Sequence, residues 1–424
     1  MSPTPGLPTG GGGPLAALAR RVARGHGPQA AVLRAGVVAC LAFGLVGWSR
    51  LLMPSLIRSI EAEFGQTDVG MGLYYLLGAL LYAVGSFVGG ALTMRLGRRA
   101  SLVIAALALA GSLAGQGLAH DWSWFLLASV PGSLGAGALD VGVNALFLDL
   151  FWQAPGGALN LLHLSFSVAA LAAPVGAAVV VGAGIGWPGL LVASGAAWLL
   201  VAALLAAATP QGHGRRPPEV GTGRTRASRR LVLPLAAFAV AIACYVAAEA
   251  GVSDWLVRFL DALPLGEAAS ALTLFWGGIA LGRLVCARVA NRLDPGRAAA
   301  AFALAGAVLL AGAALTPSQA ASLVLFGLVG FAFGPVYPLV MAAAGTLLPG
   351  RAALVTTTLT AAAVVGAIAY PPVVGLLSVT VGLRVAMLGA AGLAVACVVA
   401  LVSGRRAARL AVGRASAEEP ATGA

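Results

Sequence analysis

The chain has 424 residues, of which 60% are hydrophobic and only 9% are charged. A soluble protein of this length needs a charged surface that this composition does not supply, so we exclude a soluble globular fold. The formal net charge is +12, and all 26 basic side chains are arginines. These arginines are spread over many short segments rather than gathered on one domain, which argues against a nucleic-acid-binding protein.

The hydrophobic pattern predicts twelve membrane spans. A helix needs about 20 apolar residues to cross roughly 30 Å of hydrocarbon, and twelve stretches meet this requirement. We therefore predict an all-α membrane protein with twelve transmembrane helices. In chain order the spans lie near residues 31–57, 69–93, 99–119, 122–151, 158–182, 187–208, 231–260, 267–292, 298–315, 319–347, 353–379 and 382–402.

An internal repeat predicts two related halves. When the sequence is shifted by 197 residues, several special positions coincide without gaps. The coinciding pairs are Gly85 and Gly282, Arg95 and Arg292, Leu96 and Leu293, Gly137 and Gly334, Pro174 and Pro371, and Gly195 and Gly392. We expect a disordered cytoplasmic arm at 1–30, six-helix bundles at 31–208 and 231–402, a cytoplasmic linker at 209–230 and a cytoplasmic tail at 403–424.

The arginines predict the orientation in the membrane. They concentrate in the amino-terminal arm, in the loops after even-numbered spans and in the tail. The loops after odd-numbered spans hold few, namely Arg58, Arg258 and Arg384. Because positive residues favour the cytoplasmic side, we predict a multi-pass protein of the cell (inner) membrane with both termini in the cytoplasm.

The loop after the second span carries the most informative motif. It reads Gly90-Ala-Leu-Thr-Met-Arg-Leu-Gly-Arg-Arg99. This segment resembles the loop signature Gly-x-x-x-acid-Arg-x-Gly-Arg-Arg of the major facilitator superfamily, with Met94 at the acid position. The resemblance implies two pseudo-symmetric six-helix bundles with a substrate site between them near the bilayer midplane.

The same loop predicts a gate. We expect its arginines to latch the second and third spans to a neighbouring helix in the outward-open state, with Asp149 as the available acid partner. The gating residues that we predict are Gly90, Arg95, Gly97, Arg98, Arg99, Asp149 and Arg283.

Four shorter motifs are similar to the fucose permease branch of sugar–proton symporters. They read Asp140-Val-Gly-Val-Asn144, Leu159-Asn160-Leu-Leu-His163, Glu249-Ala-Gly-Val-Ser-Asp-Trp-Leu-Val257 and Phe275-Trp276-Gly-Gly-Ile-Ala-Leu-Gly-Arg283. The resemblance implies proton-coupled sugar transport. Arg50 departs from the pattern, since the branch usually places an aspartate there, and a base at this position suits an anionic substrate.

Asp140 and Glu249 are the predicted proton-coupling residues. An unpaired carboxylate inside a membrane helix is costly, so acids at such positions are functional by default. Asn144 lies one turn from Asp140 and could hydrogen-bond it. The structural alternative is an interhelical clasp that only holds the bundle together. Asp254 is expected to pair with Arg258, four residues further along the same helix.

The other candidates are polar or aromatic side chains inside apolar spans. They could hydrogen-bond a solute or stack on a sugar ring. We predict substrate-binding roles for Asn144, Asn160, His163, Trp276, Tyr74, Tyr337, Tyr370 and Arg50. A structural role stays open for His163, and tryptophans are also common interfacial anchors.

The residues together predict a secondary carrier. The sequence has no Gly-Lys-Ser/Thr nucleotide loop and no cluster with metal-ligand spacing, so we expect neither an ATP-driven pump nor an enzyme, and no cofactor or metal. The leading interpretation is a monomeric carrier, in contact with membrane lipid, that moves a small polar solute of the sugar class by proton symport. Proton-coupled efflux of an amphiphilic drug or lipid and a non-transporting membrane sensor are the alternatives.

Overall fold

The computed structural model describes residues 28–151, 155–211, 229–289, 292–347 and 352–418, and helices cover almost all of them. In chain order these helices are α1 (Pro28–Phe64), α2 (Asp68–Leu96), α3 (Arg98–Gly117), α4 (Trp122–Leu150), α5 (Pro155–Gly182), α6 (Gly186–Ala208), α7 (Arg229–Phe259), α8 (Leu265–Val289), α9 (Pro295–Leu315), α10 (Gln319–Phe333), α11 (Val336–Leu347), α12 (Ala352–Thr380) and α13 (Leu383–Glu418).

The predicted all-α fold with twelve spans is confirmed. Twelve segments of the described chain are long and apolar enough to cross a membrane, with α10 and α11 together forming the tenth. The predicted arm and linker fall largely on residues 1–27 and 212–228, outside the described residues. Helix α13 runs on to Glu418, well beyond the predicted end of the last span at 402.

Helix α1 also extends seven residues beyond the predicted end of the first span. The helix ends at Phe64. Its last turns carry charged residues, which suggested a loop, but they stay helical because these residues are paired with the other half of the molecule. Glu61 forms a salt bridge with Arg258, and Arg58 donates to the Leu263 carbonyl.

The tenth span is broken at Gly334 and Pro335, which the sequence analysis did not predict. Proline has no N–H and cannot continue the ladder of helical hydrogen bonds. Pro338, four residues after Gly334, likewise has no N–H to offer the Gly334 carbonyl. Arg283 of α8 donates its Nε to this carbonyl at 3.2 Å instead. The break therefore gives Arg283 a fixed partner.

Glycines bring α2 and α4 into backbone contact. A Cβ atom at Gly85 would lie 2.1 Å from the Leu134 carbonyl oxygen, and one at Gly137 would lie 2.0 Å from the Tyr82 carbonyl oxygen. No side chain fits at such distances, so glycine is required for this close helix crossing.

The same crossing recurs 197 residues later, between α8 and α10. A Cβ at Gly282 would lie 2.1 Å from the Phe331 carbonyl oxygen, and one at Gly334 would lie 2.3 Å from the Ile279 carbonyl oxygen. Both the glycines and the carbonyls that they meet are related by the shift seen in the sequence. The repeat is therefore one of backbone geometry as well as of residue type.

The two halves, α1–α6 and α7–α13, are joined at one face of the bundle. Because twelve spans separate Pro28 from Glu418, both ends of the described chain lie on the same side, which we call the termini face. The other side is the opposite face. There, Nε of Arg258 lies 2.8 Å from Oδ1 of Asp68 and 3.1 Å from Oε2 of Glu61.

A second layer of contacts lies beneath this ion-pair cluster. The Tyr75 hydroxyl of α2 donates to the Asp254 carbonyl of α7 at 3.3 Å. Within the second half, the Trp255 indole of α7 donates to the Pro371 carbonyl of α12 at 2.9 Å. Thr273 donates to the Leu171 carbonyl at 3.3 Å. Within the described ranges, no side-chain hydrogen bond or ion pair joins the halves at the termini face. The protein is therefore in a state that is sealed at the opposite face.

Candidate functional site

Asp140 lies within α4 and has a hydrogen-bond donor on each carboxylate oxygen. Tyr82 of α2 donates its hydroxyl to Oδ2, and Asn144 donates its side-chain amide to Oδ1 at 2.7 Å. The same amide also donates to the Asp140 carbonyl at 2.9 Å. The described residues form no salt bridge with Asp140, so neutral donors alone hold this carboxylate.

Sequence reasoning missed Tyr82, although the signal was present. Tyr82 precedes Gly85 by three residues, and Asp140 follows Gly137 by three residues. Because Gly85 and Gly137 mark the crossing of α2 and α4, residues about one turn from them on facing sides are brought together. The predicted pair of Asp140 and Asn144 is thus a group of three.

Glu249 and Arg283 form the charged group of the other half. Nη2 of Arg283 lies 3.9 Å from Oε1 of Glu249. The Arg283 side chain is 45% exposed, whereas that of Glu249 is only 14% exposed. Glu249 is therefore held by a nearby guanidinium.

Arg50 pairs across the halves with Asp254. A single nitrogen, Nη2, lies 2.9 Å from Oδ1 and 3.1 Å from Oδ2 of the aspartate. Asp254 is 2% exposed, whereas the Arg50 side chain is 48% exposed. A charged group is costly against hydrocarbon, so a half-exposed arginine within a span and between the halves faces a water-filled cavity.

These contacts correct one expectation. The predicted pairing of Asp254 with Arg258 is wrong, because Asp254 points back to Arg50 while Arg258 binds acids of α1 and α2. The Arg50 guanidinium is the partner of Asp254 instead.

The remaining substrate-binding candidates differ in how free their polar atoms are. His163 is exposed, and its ring packs edge-on against Phe43 at a centroid distance of 5.1 Å. Trp276 is partly buried, and its indole donates to the Ser253 hydroxyl at 3.0 Å. Tyr337 is partly buried. The side chain of Asn160 lies outside the described part of the chain.

The hydroxyl groups of two candidate tyrosines are hydrogen-bonded to other helices of the protein. The Tyr74 hydroxyl accepts from the Gln116 side-chain amide at 3.2 Å. Tyr370 is only 9% exposed and donates to the Ala386 carbonyl at 2.6 Å. The structure therefore puts Tyr370 into the packing between α12 and α13, away from the cavity.

The predicted gate residues lie near the turn between α2 and α3, except Arg283, which belongs to α8 in the other half. Gly97 has φ 84°, a left-handed conformation that favours glycine, and its N–H bonds the Thr93 carbonyl. Arg98 forms a salt bridge with Asp149, the predicted partner. Arg95 is exposed, and a Cβ at Gly90 would meet nothing within 4 Å.

The salt bridge between Arg98 and Asp149 ties α3 to α4 within one half. It is present while the opposite face is sealed, so it is not specific to the state that is open at that face. The repeat-related turn carries a different pair: Arg405 of α13 donates to Asp294 at 2.5 and 2.8 Å. The hydrogen bond from Arg405 lowers the pKa of Asp294 from 3.8 to about 2.

Comparison with known proteins identifies the family. The Major Facilitator Superfamily profile matches residues 35–357. The chain is a member of the major facilitator superfamily. It is 25% identical over 354 residues to an uncharacterised MFS-type transporter of Yersinia pestis, covering 82% of this chain and 89% of that protein.

Solved structures of the superfamily share the fold. A bacterial homologue of the human lysosomal transporter Spinster, inward-facing and occupied, aligns with a TM-score of 0.68 at 18% identity, covering 92% of this chain and 98% of that one. The E. coli fucose:proton symporter aligns with a TM-score of 0.55 at 19% identity, covering 89% and 98%. A nucleoside transporter aligns with a TM-score of 0.66 at 14% identity, covering 88% and 99%.

The family and the fold together make this a multi-pass membrane transporter. The predicted resemblance to the superfamily is confirmed, and the fucose symporter is among the proteins of similar fold. The superfamily is one of transporters rather than enzymes. At these low identities, the solved structures support the fold alone.

Proposed function

We propose that this transporter moves a small polar solute, of the sugar class, together with protons by alternating access between its two halves. The observation that carries the proposal is the Asp140 carboxylate, which Tyr82 and Asn144 hold inside a span and which has no cationic partner among the described residues. A carboxylate held in this way can change its charge without breaking an ion pair.

The environment of Asp140 suits a group that is loaded and unloaded. Protonation removes a charge that is costly to enclose, so it favours a state in which the cavity is closed. Glu249 is a second candidate, but its carboxylate lies 3.9 Å from the Arg283 guanidinium, so a change of its charge would disrupt an ion pair.

A polar solute fits the groups near the centre of the bundle. Carboxylate, amide, imidazole and guanidinium groups offer both donors and acceptors, and Trp276 offers an apolar ring face. The four motifs similar to the fucose permease branch favour a sugar within this class. The arginine distribution supports an inner-membrane location with the termini face in the cytoplasm, which makes the present state inward-open.

The test is transport in proteoliposomes with Asp140→Asn, which mimics the protonated acid. We expect this variant to lose accumulation driven by a pH gradient while it retains exchange of solute between the two sides. Glu267→Gln, which removes an exposed acid from α8 at the opposite face, is the control and should behave as the parent protein.

Two results would overturn the proposal. Gradient-driven accumulation that survives Asp140→Asn with unchanged pH dependence would move the proton site elsewhere, with Glu249 next in line. Movement of solute against the direction of proton flow would replace symport by efflux. The direction of the pH change in the vesicle lumen, read with a trapped dye, separates these two cases.

A further inference from the structure

We propose that the transported solute carries a carboxylate, that Arg50 binds it, and that Asp254 competes with it for Arg50 to drive release. This inference rests on the proposed function only in placing a polar solute in the cavity between the halves. It narrows the solute from sugars in general to their acids, such as uronates and aldonates.

The geometry of Arg50 leaves room for a second carboxylate. Its contact with Asp254 uses one terminal nitrogen rather than the two-pronged fork that guanidinium and carboxylate commonly form. Within the described chain, the Nε and Nη1 atoms of Arg50 have no hydrogen-bond partner. The side chain is 48% exposed, so the pairing with Asp254 leaves it accessible to a ligand.

Asp254 can reach Arg50 only when the halves meet at the opposite face. The two residues belong to α1 and α7, and the adjoining contacts from Tyr75 and Arg258 form part of the seal at that face. When the seal opens, α7 moves away from α1 and Arg50 loses its partner. Arg50 is then free to bind an anion that enters from that side.

Closure of the opposite face would reverse this exchange. Asp254 returns to Arg50 as the halves meet, and it takes over a donor that the solute carboxylate was using. The affinity for the anion therefore falls in the state that is open at the termini face, which favours release there. A carrier that binds its ligand tightly in one state and weakly in the other takes it up on one side of the membrane and releases it on the other.

The charges within the spans are consistent with an anionic solute. The acids Asp140, Glu249 and Asp254 lie within the spans together with the guanidiniums of Arg50 and Arg283, which pair with Asp254 and Glu249. Once Asp140 is protonated, two acids and two bases remain, and the site is neutral. A monoanion and one proton together carry no net charge, so the loaded site has the same net charge as the empty site with Asp140 ionised. A neutral sugar would offer Arg50 no charge to pair with.

The experiment compares sugars with their own acids as ligands of the purified protein. The probes are glucose, glucuronate and gluconate, and galactose, galacturonate and galactonate, with the melting temperature and titration calorimetry as readouts. We expect at least one acid to bind saturably and its neutral parent to bind about tenfold more weakly or worse, as when a charge-assisted hydrogen bond is lost.

Two variants test the competition in opposite directions. Arg50→Gln should weaken binding of the acid about tenfold or more and leave binding of neutral sugar unchanged. Asp254→Asn should strengthen binding of the acid and slow its release, so that affinity rises while transport falls. A misfolded variant would instead lose both its affinity for the acid and its transport activity. Arg288→Gln, an exposed arginine at the end of α8, is the control.

Three outcomes would overturn the inference: neutral sugars that bind as tightly as their acids, an Arg50→Gln variant with unchanged affinity for the acid, or a complete panel of acids that does not bind. Failure here is distinct from failure of proton coupling. If neutral sugar moves with protons, the inference is rejected and the proposed function stands. If the acid moves without dependence on protons, the inference stands and the proposed proton coupling is rejected.

Discussion

The two halves of this transporter share a backbone but hold their intramembrane polar groups in different ways. Asp140 in the first half and Tyr337 in the second lie 197 residues apart and therefore occupy equivalent positions beyond matching glycine crossings. The first half keeps a carboxylate there between neutral donors. The second half keeps its carboxylate, Glu249, on another helix beside Arg283. The repeat thus constrains the scaffold, while the exceptions to it carry the chemistry.

The largest expected effect tests the scaffold that the halves share. In Gly137→Ala the new methyl group would lie 2.0 Å from a carbonyl oxygen, and in Gly334→Ala it would lie 2.3 Å from one. Relief requires the helices to move apart, so we expect a loss of about 2–3 kcal/mol in each case. Thermal unfolding in detergent measures it.

Gly90→Ala is the matched control for these glycines, because its new methyl group meets nothing within 4 Å. It should be neutral or slightly stabilising, since alanine is the better helix former. Equal melting temperatures for all three variants would mean that the crossings tolerate extra volume.

The next effect concerns the salt bridges at the two equivalent turns. Arg98 is 11% exposed and Asp149 is 30% exposed. Asp149→Asn leaves this largely buried guanidinium without its acid, and we expect a loss of about 2 kcal/mol. Spin-label distances between the halves would report whether the balance of states also shifts. An unchanged stability and an unchanged distance distribution would make the pair irrelevant to gating.

A smaller effect separates the two positions related by the repeat. Tyr82→Phe removes one of the donors to Asp140 and should reduce gradient-driven transport by a factor that corresponds to about 1 kcal/mol. Tyr337→Phe removes the hydroxyl at the position equivalent to Asp140 and should have a weaker effect on the pH dependence of transport. Equal pH profiles for the two variants would argue that the halves contribute alike.

The smallest effect lies at Asp294. Its pKa is lowered to about 2, so its pairing with Arg405 stabilises the fold above the ordinary value of 3.8 and is lost as the pH falls through about 2. Asp294→Asn should cost less than about 1 kcal/mol, because the carboxylate is 44% exposed and screened. Asparagine caps α9 equally well, so the variant isolates the ion pair.

A constant difference between Asp294→Asn and the parent down to pH 4, narrowing below it, is the expected pattern in unfolding experiments. A difference that vanishes at neutral pH would show that the ion pair adds nothing to stability.

The sequence was sufficient for the fold because hydrocarbon imposes simple rules. Span length and the glycine register are one-dimensional signals. The first predicted the spans to within a few residues for most helices, and the second relates the helix crossings of both halves. Pairings between side chains on distant helices leave no such signal in the order of the residues. Arg50 and Asp254 lie 204 positions apart, and only the meeting of the halves brings them together.

The polar residues near helix ends were misjudged for a related reason. Glu61 and Arg58 suggest a loop when read along the chain, since their partners on the other half are invisible there. The break at Gly334 was missed because proline inside a membrane helix is usually tolerated, and the arginine that supplies the missing donor lies on α8.

The glycine crossings also have a mechanical consequence. Contacts between two backbones cannot be loosened by a change of rotamer. Each crossing pair, α2 with α4 and α8 with α10, is therefore expected to move as one rigid unit. A rocking motion of one half against the other then turns a small rotation near the midplane into a larger displacement at each surface. The strain of such a motion has to be absorbed by helices without these contacts.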